Sequence, residues 1–187
     1  MCPPTLGYAL LKKLKNPLYP NYSNLKSFIL GDSFPWFWNE HFVYKENTNF
    51  FKNDKDSQDV SFFTHSFLNR PKHTGEKYPT VNSPHVNQVS EVLNSIFDYN
   101  GIDVKCIYRM NANLMQPAEG KQQTFAHVDH DFPHQSLIIY LTDVGGETVC
   151  GKNRHDPQED DIITMEGIHY NMLPQQGRRI VLVATYI

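Results

Sequence analysis

The sequence predicts a mainly β fold with supporting helices, of the α+β class. From residue 102 onward, short apolar runs bounded by turn residues follow one another closely, which is typical of antiparallel strands. Before residue 101, the clearest periodic segment repeats its apolar residues every three or four positions, as an amphipathic helix does. This order indicates a helix-supported β-sandwich or barrel. The 187 residues suit one domain over 1–187, with helices and loops over 1–101 and the β core over 102–187.

Three helices are predicted in the first half, and the third has the clearest signals. Ser83 can cap it, Pro84 suits its first position, and Gly101 lies just past its end. Its apolar residues form one stripe, which suits a helix that covers one face of a sheet. The two shorter helices are predicted over 8–15 and 21–30.

Strands are predicted wherever short apolar or alternating runs end in turn residues. In the first half these are 41–44 and 60–67, and the polar loops 45–59 and 69–82 beside them are expected to border an active site. The aromatic run 34–38 contains both tryptophans and is expected to pack in the core. In the second half, strands are predicted over 104–114, 136–142, 147–150, 161–165, 168–172 and 178–186.

Composition and charge restrict the classes of function. A formal net charge of -3 argues against nucleic acid as a partner, because phosphate binding needs a concentrated basic surface. No apolar run reaches the roughly 18 residues of a membrane span, and the N-terminus has no leader pattern. The three cysteines form no CxxC pair, so reduced thiols in a cytoplasmic protein explain them most simply. We therefore expect a cytoplasmic protein without a nucleic-acid or membrane partner.

A candidate metal site centres on His127 and Asp129. Side chains two positions apart in a strand point to the same face, so an imidazole and a carboxylate lie together there. His169 is the natural third ligand, and two histidines with one carboxylate are the ligand set of non-haem Fe(II) oxygenases. Zinc accepts the same set. His130 is expected on the opposite face, and His134 is expected to be structural.

A candidate anion site follows His169 along the chain. Beyond a turn containing Pro and Gly, Arg178 and Arg179 begin a β-branched strand, which places a guanidinium and an imidazole on adjacent strands. Adjacent residues face opposite sides, so only one arginine points inward, and the ten-residue offset from His169 favours Arg179. Upstream, three polar residues alternate along one strand and face either the pocket or solvent: Arg109, Asn111 and Asn113. His65 is expected to pack in or near the core.

These segments resemble the 2-oxoglutarate- and Fe(II)-dependent oxygenases, in particular the prolyl 4-hydroxylase-like branch. The matching stretches are 127–129, 137–148 and 169–179, in roughly the last third of the chain. The resemblance implies a double-stranded β-helix (jelly roll, cupin-like) as the core. It also implies that Fe(II) is bound by His127, Asp129 and His169. By the same resemblance, Arg179 holds the distal carboxylate of 2-oxoglutarate, and Tyr140 and Thr148 help to frame this cosubstrate.

The resemblance implies a dioxygenase that uses O2 and 2-oxoglutarate to hydroxylate an unactivated C–H bond. Succinate and carbon dioxide are the coproducts, and the substrate is a small molecule or a peptide, such as a peptidyl prolyl or another amino-acid side chain. Halogenating relatives lack the carboxylate ligand, so Asp129 favours hydroxylation. Two alternatives remain: a zinc-dependent hydrolase on the same three residues, and a non-catalytic jelly-roll binding protein.

Overall fold

The computed structural model describes residues 9–43, 55–71, 75–120 and 122–187. These ranges contain helices α1 (Pro20–Leu30) and α2 (Val86–Tyr99) and thirteen strands. The strands are β1 (Leu10–Leu14), β2 (Phe37–Asn39), β3 (Ser57–Gln58), β4 (Phe62–Asn69), β5 (Thr80–Val81), β6 (Ile107–Met115), β7 (Gln123–Thr124), β8 (Gln135–Tyr140), β9 (Thr148–Cys150), β10 (Asn153–His155), β11 (Ile162–Glu166), β12 (His169–Asn171) and β13 (Arg179–Tyr186).

The strands form one large sheet and two small ones. The large sheet is antiparallel in the order β1-β11-β8-β13-β6-β4-β2, with β5 paired to β4. A second sheet has the order β10-β9-β12, and β3 pairs with β7 in parallel. Bridges from Gln123 to Met172 and from His127 to His169 connect the β7 segment to β12. This mainly antiparallel architecture with two helices confirms the predicted fold class.

The large sheet has a helix-facing side and an interior side, and β6 shows the alternation clearly. Met110, Ala112 and Leu114 belong to the apolar cluster that includes both helices, where Leu93 of α2 is fully buried. Because successive side chains of a strand point to opposite faces, the residues between them, among them Asn111, face the interior. Burial of each large apolar side chain stabilises the fold by roughly 1.5–3 kcal/mol. The helix-facing side therefore supplies the main core.

The interior side of the same sheet meets the second sheet. Val181 and Val183 of β13 and Ile138 of β8 cluster there with Cys150 of β9. Since Arg179 precedes these valines by two and four positions, its side chain enters the same interior. The interior thus has an apolar floor with polar residues at its margins.

The predicted helix over 8–15 is wrong, because residues Leu10–Leu14 form β1 at the edge of the large sheet. They pair with β11 from Leu10 with Glu166 to Leu14 with Ile162. The leucines have helical spacing, but only Leu14 is buried. Pairing with a distant strand overrides this local pattern. Position 8 itself lies outside the described residues.

Further departures lie in the first half, and in the second half strand β10 was not predicted. Residues 41–43 form no strand, and Tyr44 is outside the described residues. Within the aromatic run, Phe34 is buried as predicted, but Phe37 and Trp38 on edge strand β2 are 60% and 59% exposed. Much of the loop over 45–59, three residues of the loop over 69–82, and Cys2 also lie outside the described residues.

The bounds predicted for the other first-half elements agree with the structure, although α2 begins at Val86 with His85, rather than Ser83, at its N-cap. Helices α1 and α2 and strand β4 begin and end within three residues of the predicted bounds. Cys106 and Cys150 are free thiols. No helix within the described ranges is long and apolar enough to cross a membrane.

Candidate metal centre

The structure brings His127, Asp129 and His169 together in the interior, and all three are buried. One potential ligand atom from each lies within 4.8 Å of the others, close enough for one ion to contact all three. His127 and His169 exchange two backbone hydrogen bonds of 3.0 Å, which fixes their rings with centroids 4.4 Å apart. His127 forms an isolated bridge shortly after β7 and Asp129 lies in a bend, so the two residues are not in one regular strand, although their side chains converge as predicted.

Both imidazoles are held in the form that binds metals. Nδ1–H of His127 donates to the carbonyl of Phe125 at 3.0 Å, and Nδ1–H of His169 donates to that of Gly167 at 3.1 Å. Burial lowers the pKa of His127 to about 3, helped by the neighbouring His169, and burial also lowers the pKa of His169. Each ring is therefore neutral near pH 7, with the Nε2 lone pair free.

Asp129 is the anion of the site, and its carboxylate is fixed from two sides. Arg109 Nη2 donates to Oδ1 at 2.7 Å, and Ser136 Oγ donates to Oδ2 at 2.6 Å. That second oxygen lies 3.8 Å from His169 Nε2. Burial alone would raise the pKa of Asp129, but the neighbouring Arg109 guanidinium holds it well below its usual range. Asp129 is therefore a buried, ionised ligand candidate.

Arg109 was left between pocket and solvent by the sequence, and the structure places it inside. The antiparallel register puts Arg109 of β6 opposite Thr185 of β13, and Thr185 opposite Ser136 of β8. This row of three residues lies under the segment that carries Asp129. Arg70 adds a further contact, because its Nη1 donates to the backbone carbonyl of Asp129 at 2.5 Å.

A second polar group surrounds Arg179, which is 2% exposed, whereas Arg178 is exposed. Its Nε donates to the Gly146 carbonyl at 3.1 Å, and its Nη2 donates to Thr148 Oγ1 and Asn171 Oδ1, both at 3.0 Å. Among the described residues, no carboxylate forms an ion pair with it. Burial lowers the pKa of Arg179, which reflects the cost of keeping this charge in the interior.

The predicted cosubstrate residues Tyr140 and Thr148 belong to this group. The Tyr140 hydroxyl donates to Thr148 Oγ1 at 2.7 Å, and its ring lies 5.2 Å from the Arg179 guanidinium in a cation–π contact. Burial raises the pKa of Tyr140, so the phenol stays protonated. Asn171 was missed by sequence reasoning, although it follows His169 by two positions on a short strand and therefore shares its face.

Strand β12 connects the metal centre to the arginine group. His169 and Asn171 are alternate residues of this strand, so their Cα atoms lie roughly 7 Å apart along one face. The metal-ligand candidates are at one end of this spacing and the Arg179 guanidinium is at the other. The interior thus offers a cation-binding end and an anion-binding end, joined by the apolar floor.

The other histidines weighed from the sequence lie outside this cluster. His65 is buried between the Pro35 carbonyl and the Ser83 hydroxyl, at 2.8 and 2.9 Å, as expected for a core residue. His130 Nε2 contacts Thr185 Oγ1 at 2.7 Å. His134 Nδ1–H donates to the Phe132 carbonyl at 2.7 Å. Across the described ranges, the three predicted residues are the one group found with metal-ligand geometry.

No family model matches the sequence, and no curated protein matches it. Solved structures do match. An oxidoreductase of the 2OG-Fe(II) oxygenase family from Burkholderia pseudomallei aligns with a TM-score of 0.65 at 17% identity, covering 95% of this chain and 84% of its own. The non-haem alpha-ketoglutarate-dependent epimerase SnoN from nogalamycin biosynthesis aligns with a TM-score of 0.53 at 11% identity, covering 95% and 77%.

A prolyl-4-hydroxylase from Pseudomonas putida has a TM-score of 0.43 at 12% identity, with 81% of this chain and 91% of that chain covered. At such identities, the likeness concerns the fold. The first two matches have TM-scores above 0.5 and cover nearly the whole chain. The protein therefore has the jelly-roll fold of the 2-oxoglutarate- and Fe(II)-dependent oxygenases, as the sequence resemblance implied.

Proposed function

We propose that the protein is an Fe(II)- and 2-oxoglutarate-dependent dioxygenase that hydroxylates an unactivated C–H bond and releases succinate and carbon dioxide. One observation carries the proposal. The interior combines a His-Asp-His cluster with a buried arginine that has no carboxylate partner among the described residues, and alternate residues of one strand join them. A metal-chelating dicarboxylate satisfies both ends at once.

The residues at the metal end fit Fe(II). His127, Asp129 and His169 provide two neutral imidazoles and one ionised carboxylate, which is the ligand set of non-haem Fe(II) oxygenases. The bound metal would supply oxygen activation and the oxidative decarboxylation of 2-oxoglutarate. The protein's part is to keep the three donor groups deprotonated and aimed, through the carbonyls that accept from both Nδ1–H groups and through the Arg109 contact to Asp129.

The arginine end orients the cosubstrate. Arg179 would hold the distal carboxylate, because a guanidinium forms two parallel charge-assisted hydrogen bonds with such a group. Thr148 and Asn171 anchor one Nη, and the Tyr140 ring lies against the guanidinium plane, so the fork has a fixed direction. The apolar floor of Val181 and Val183 excludes water from the space between the two ends.

The two alternatives account for less of the site. A zinc hydrolase would use the same three ligands, but it assigns no role to the buried Arg179 and its fixed neighbours. A non-catalytic binding protein has no need for two neutral imidazoles aimed at an ionised carboxylate. The dioxygenase assigns a role to both groups.

The test measures cosubstrate chelation and turnover separately. Anaerobic addition of Fe(II) and 2-oxoglutarate is expected to give a weak visible charge-transfer band, and addition of air is expected to give succinate. His169→Ala is expected to lose both signals. His134→Ala, which alters a histidine outside the cluster, is expected to keep them. Absence of the band in the wild type, or succinate formation that persists in His169→Ala, would contradict the proposal.

A further inference from the structure

Three buried polar atoms near Asp129 have no hydrogen-bond partner among the described residues and no role in the proposed chemistry. They are Nε of Arg70, Nε of Arg109 and Oδ1 of Asn111. Arg109 and Asn111 alternate on β6, so both face the interior. Arg70 follows β4, the neighbour of β6, and reaches the Asp129 backbone. Two unused donors therefore belong to side chains that contact Asp129, and one unused acceptor lies two positions along the same strand from Arg109.

The side-chain amide of Asn111 is held in place, and its oxygen accepts no hydrogen bond from the described residues. Asn111 is 7% exposed, and its Nδ2 donates to Asn113 Oδ1 at 2.5 Å, where Thr64 Oγ1 also donates at 2.8 Å. This arrangement leaves Asn111 Oδ1 buried without a donor. An unsatisfied buried acceptor costs about 1–3 kcal/mol. A ligand N–H or O–H group would remove that cost.

Among the described residues, the positive charges beside Asp129 are not fully balanced. Arg109 forms an ion pair with the Asp129 carboxylate, whereas Arg70 contacts only the backbone carbonyl of that residue. Burial, followed by repulsion from Arg109, lowers the pKa of Arg70 to about 10. In the proposed function, the two carboxylates of 2-oxoglutarate interact with the metal and Arg179. Neither is left to balance Arg70 and Arg109.

We propose that Arg70, Arg109 and Asn111 form the substrate subsite, and that the substrate presents a free carboxylate with an N–H or O–H donor beside it. The two guanidiniums would hold the carboxylate, and Asn111 Oδ1 would accept from the donor. A free α-amino acid has this chemistry, and so does the C-terminal residue of a peptide. A residue inside a peptide chain lacks the carboxylate. This inference rests on the proposed function, because it places the substrate beside the metal ligand Asp129.

Equilibrium dialysis tests the subsite with the protein under anaerobic Fe(II) and 2-oxoglutarate. Three probe pools are compared by mass spectrometry: free L-amino acids, the same residues as carboxamides, and short peptides with either free or amidated C-termini. We expect at least one free acid to bind about tenfold more tightly than its carboxamide. If peptides with free C-termini bind and single amino acids do not, the carboxylate belongs to a peptide end.

Variants separate a binding role from a structural role. Arg70→Gln is expected to remove the preference for acid over carboxamide, and Arg70→Lys to retain part of it. Arg178→Gln, at an exposed arginine, is expected to keep it fully. A merely structural Arg70 would weaken acid and carboxamide binding equally.

Several results would overturn the subsite. These are carboxamides that bind as well as acids, no acid bound at all, or a preference that survives in Arg70→Gln. The charge-transfer band and succinate formation in the wild type report on the proposed function independently of these results. Their loss would refute that function, whereas their presence without acid selectivity would refute the subsite alone.

Discussion

The two ends of the interior contain opposite kinds of buried charge. At the metal end, Asp129 is an ionised carboxylate flanked by neutral imidazoles and contacted by two arginines. At the other end, the hydrogen-bond acceptors of Arg179 among the described residues are all neutral: a hydroxyl, an amide oxygen, a backbone carbonyl and the Met115 thioether. The first end contains the anion that a metal cation needs, whereas the second contains a cation for which the described part of the chain supplies no anion. This difference indicates a ligand that places a carboxylate at Arg179.

The hydrogen bonds around Arg179 offset part of the cost of burying a guanidinium that has no carboxylate partner among the described residues. Removing an ion from water costs several kcal/mol unless a counterion or hydrogen bonds compensate. Neutral acceptors offset only part of this desolvation cost, so the ligand-free protein is expected to be less stable than the protein with an anion bound at Arg179. A dicarboxylate that binds only the folded state would restore that stability by mass action.

Removal of the Arg179 charge should have the largest effect of the changes considered, and it should act on the affinity for 2-oxoglutarate. We expect Arg179→Gln to raise the Kd for 2-oxoglutarate about 100-fold, because hydrogen bonds to charged groups contribute about 1.5–3 kcal/mol. Isothermal titration under anaerobic Fe(II) measures this change. Arg178→Gln is the matched control and should change the Kd less than about twofold, since that side chain is exposed. Equal losses in the two variants would show that the two arginines were assigned wrongly.

Removal of a cation at the first end should weaken metal binding instead. Arg109→Gln leaves Asp129 without its 2.7 Å ion pair, and residues that orient metal ligands typically affect affinity by about 10- to 100-fold. We expect at least a tenfold weaker affinity for Mn(II), used as a spectroscopic probe, and partial recovery in Arg109→Lys. Melting temperatures with and without metal give a second measure. Unchanged metal affinity would limit Arg109 to the substrate subsite.

A carboxylate placed beside Arg179 should give the second end an internal anion, as Asp129 does at the first end. Asn171→Asp puts an anion where Asn171 Oδ1 now lies, 3.0 Å from Arg179 Nη2. We expect about tenfold weaker 2-oxoglutarate binding together with a higher melting temperature of the ligand-free protein, because the guanidinium gains an internal partner. Asn153→Asp, on an exposed residue of β10, is the control. A lower melting temperature with unchanged binding would contradict the charge argument.

Sequence reasoning identified the residues whose pattern is local or resembles a known family. The six strands predicted with bounds in the second half begin and end within about three residues of those bounds, because turn residues separate their apolar runs, whereas the polar strand β10 was missed. His127, Asp129, His169 and Arg179 were identified together, since their spacing matches the oxygenase pattern. The structure brings the first three together and places Arg179 inside.

Residues whose roles depend on strand register were missed. Arg109 acquires its role because β13 places Thr185 beside it and β8 places Ser136 beyond, and neither pairing is visible in the local sequence. The same cause explains β1, where pairing with β11 overrides leucines at helical spacing. Phe37 and Trp38 are exposed because β2 is an edge strand, and strand order was not predicted.

Two adjacent glycines offer the smallest and most selective test of the arginine end. Gly145 and Gly146 both have positive φ, +74° and +86°, so alanine at either position carries a backbone cost of about 1–2 kcal/mol. A Cβ at Gly146 would lie 2.8 Å from Arg179 Cδ and 2.9 Å from the Met172 carbonyl oxygen, whereas a Cβ at Gly145 would meet nothing within 4 Å. We therefore expect both variants to lower the melting temperature, Gly146→Ala by more, and only Gly146→Ala to weaken 2-oxoglutarate binding. The expected loss in binding is about threefold, which corresponds to about 0.7 kcal/mol.

Titration of both variants under identical anaerobic conditions separates strain from displacement of the guanidinium. Because the backbone cost of positive φ is shared, a difference in Kd reports the contacts of the Gly146 Cβ with Arg179 and with the Met172 carbonyl. Equal Kd values would mean that the guanidinium direction, which Gly146 fixes through its carbonyl and its missing side chain, has no part in binding the carboxylate. The buried cation would then act only through its charge, and the hydrogen bonds that Arg179 donates to Thr148 and Asn171 would serve stability rather than orientation.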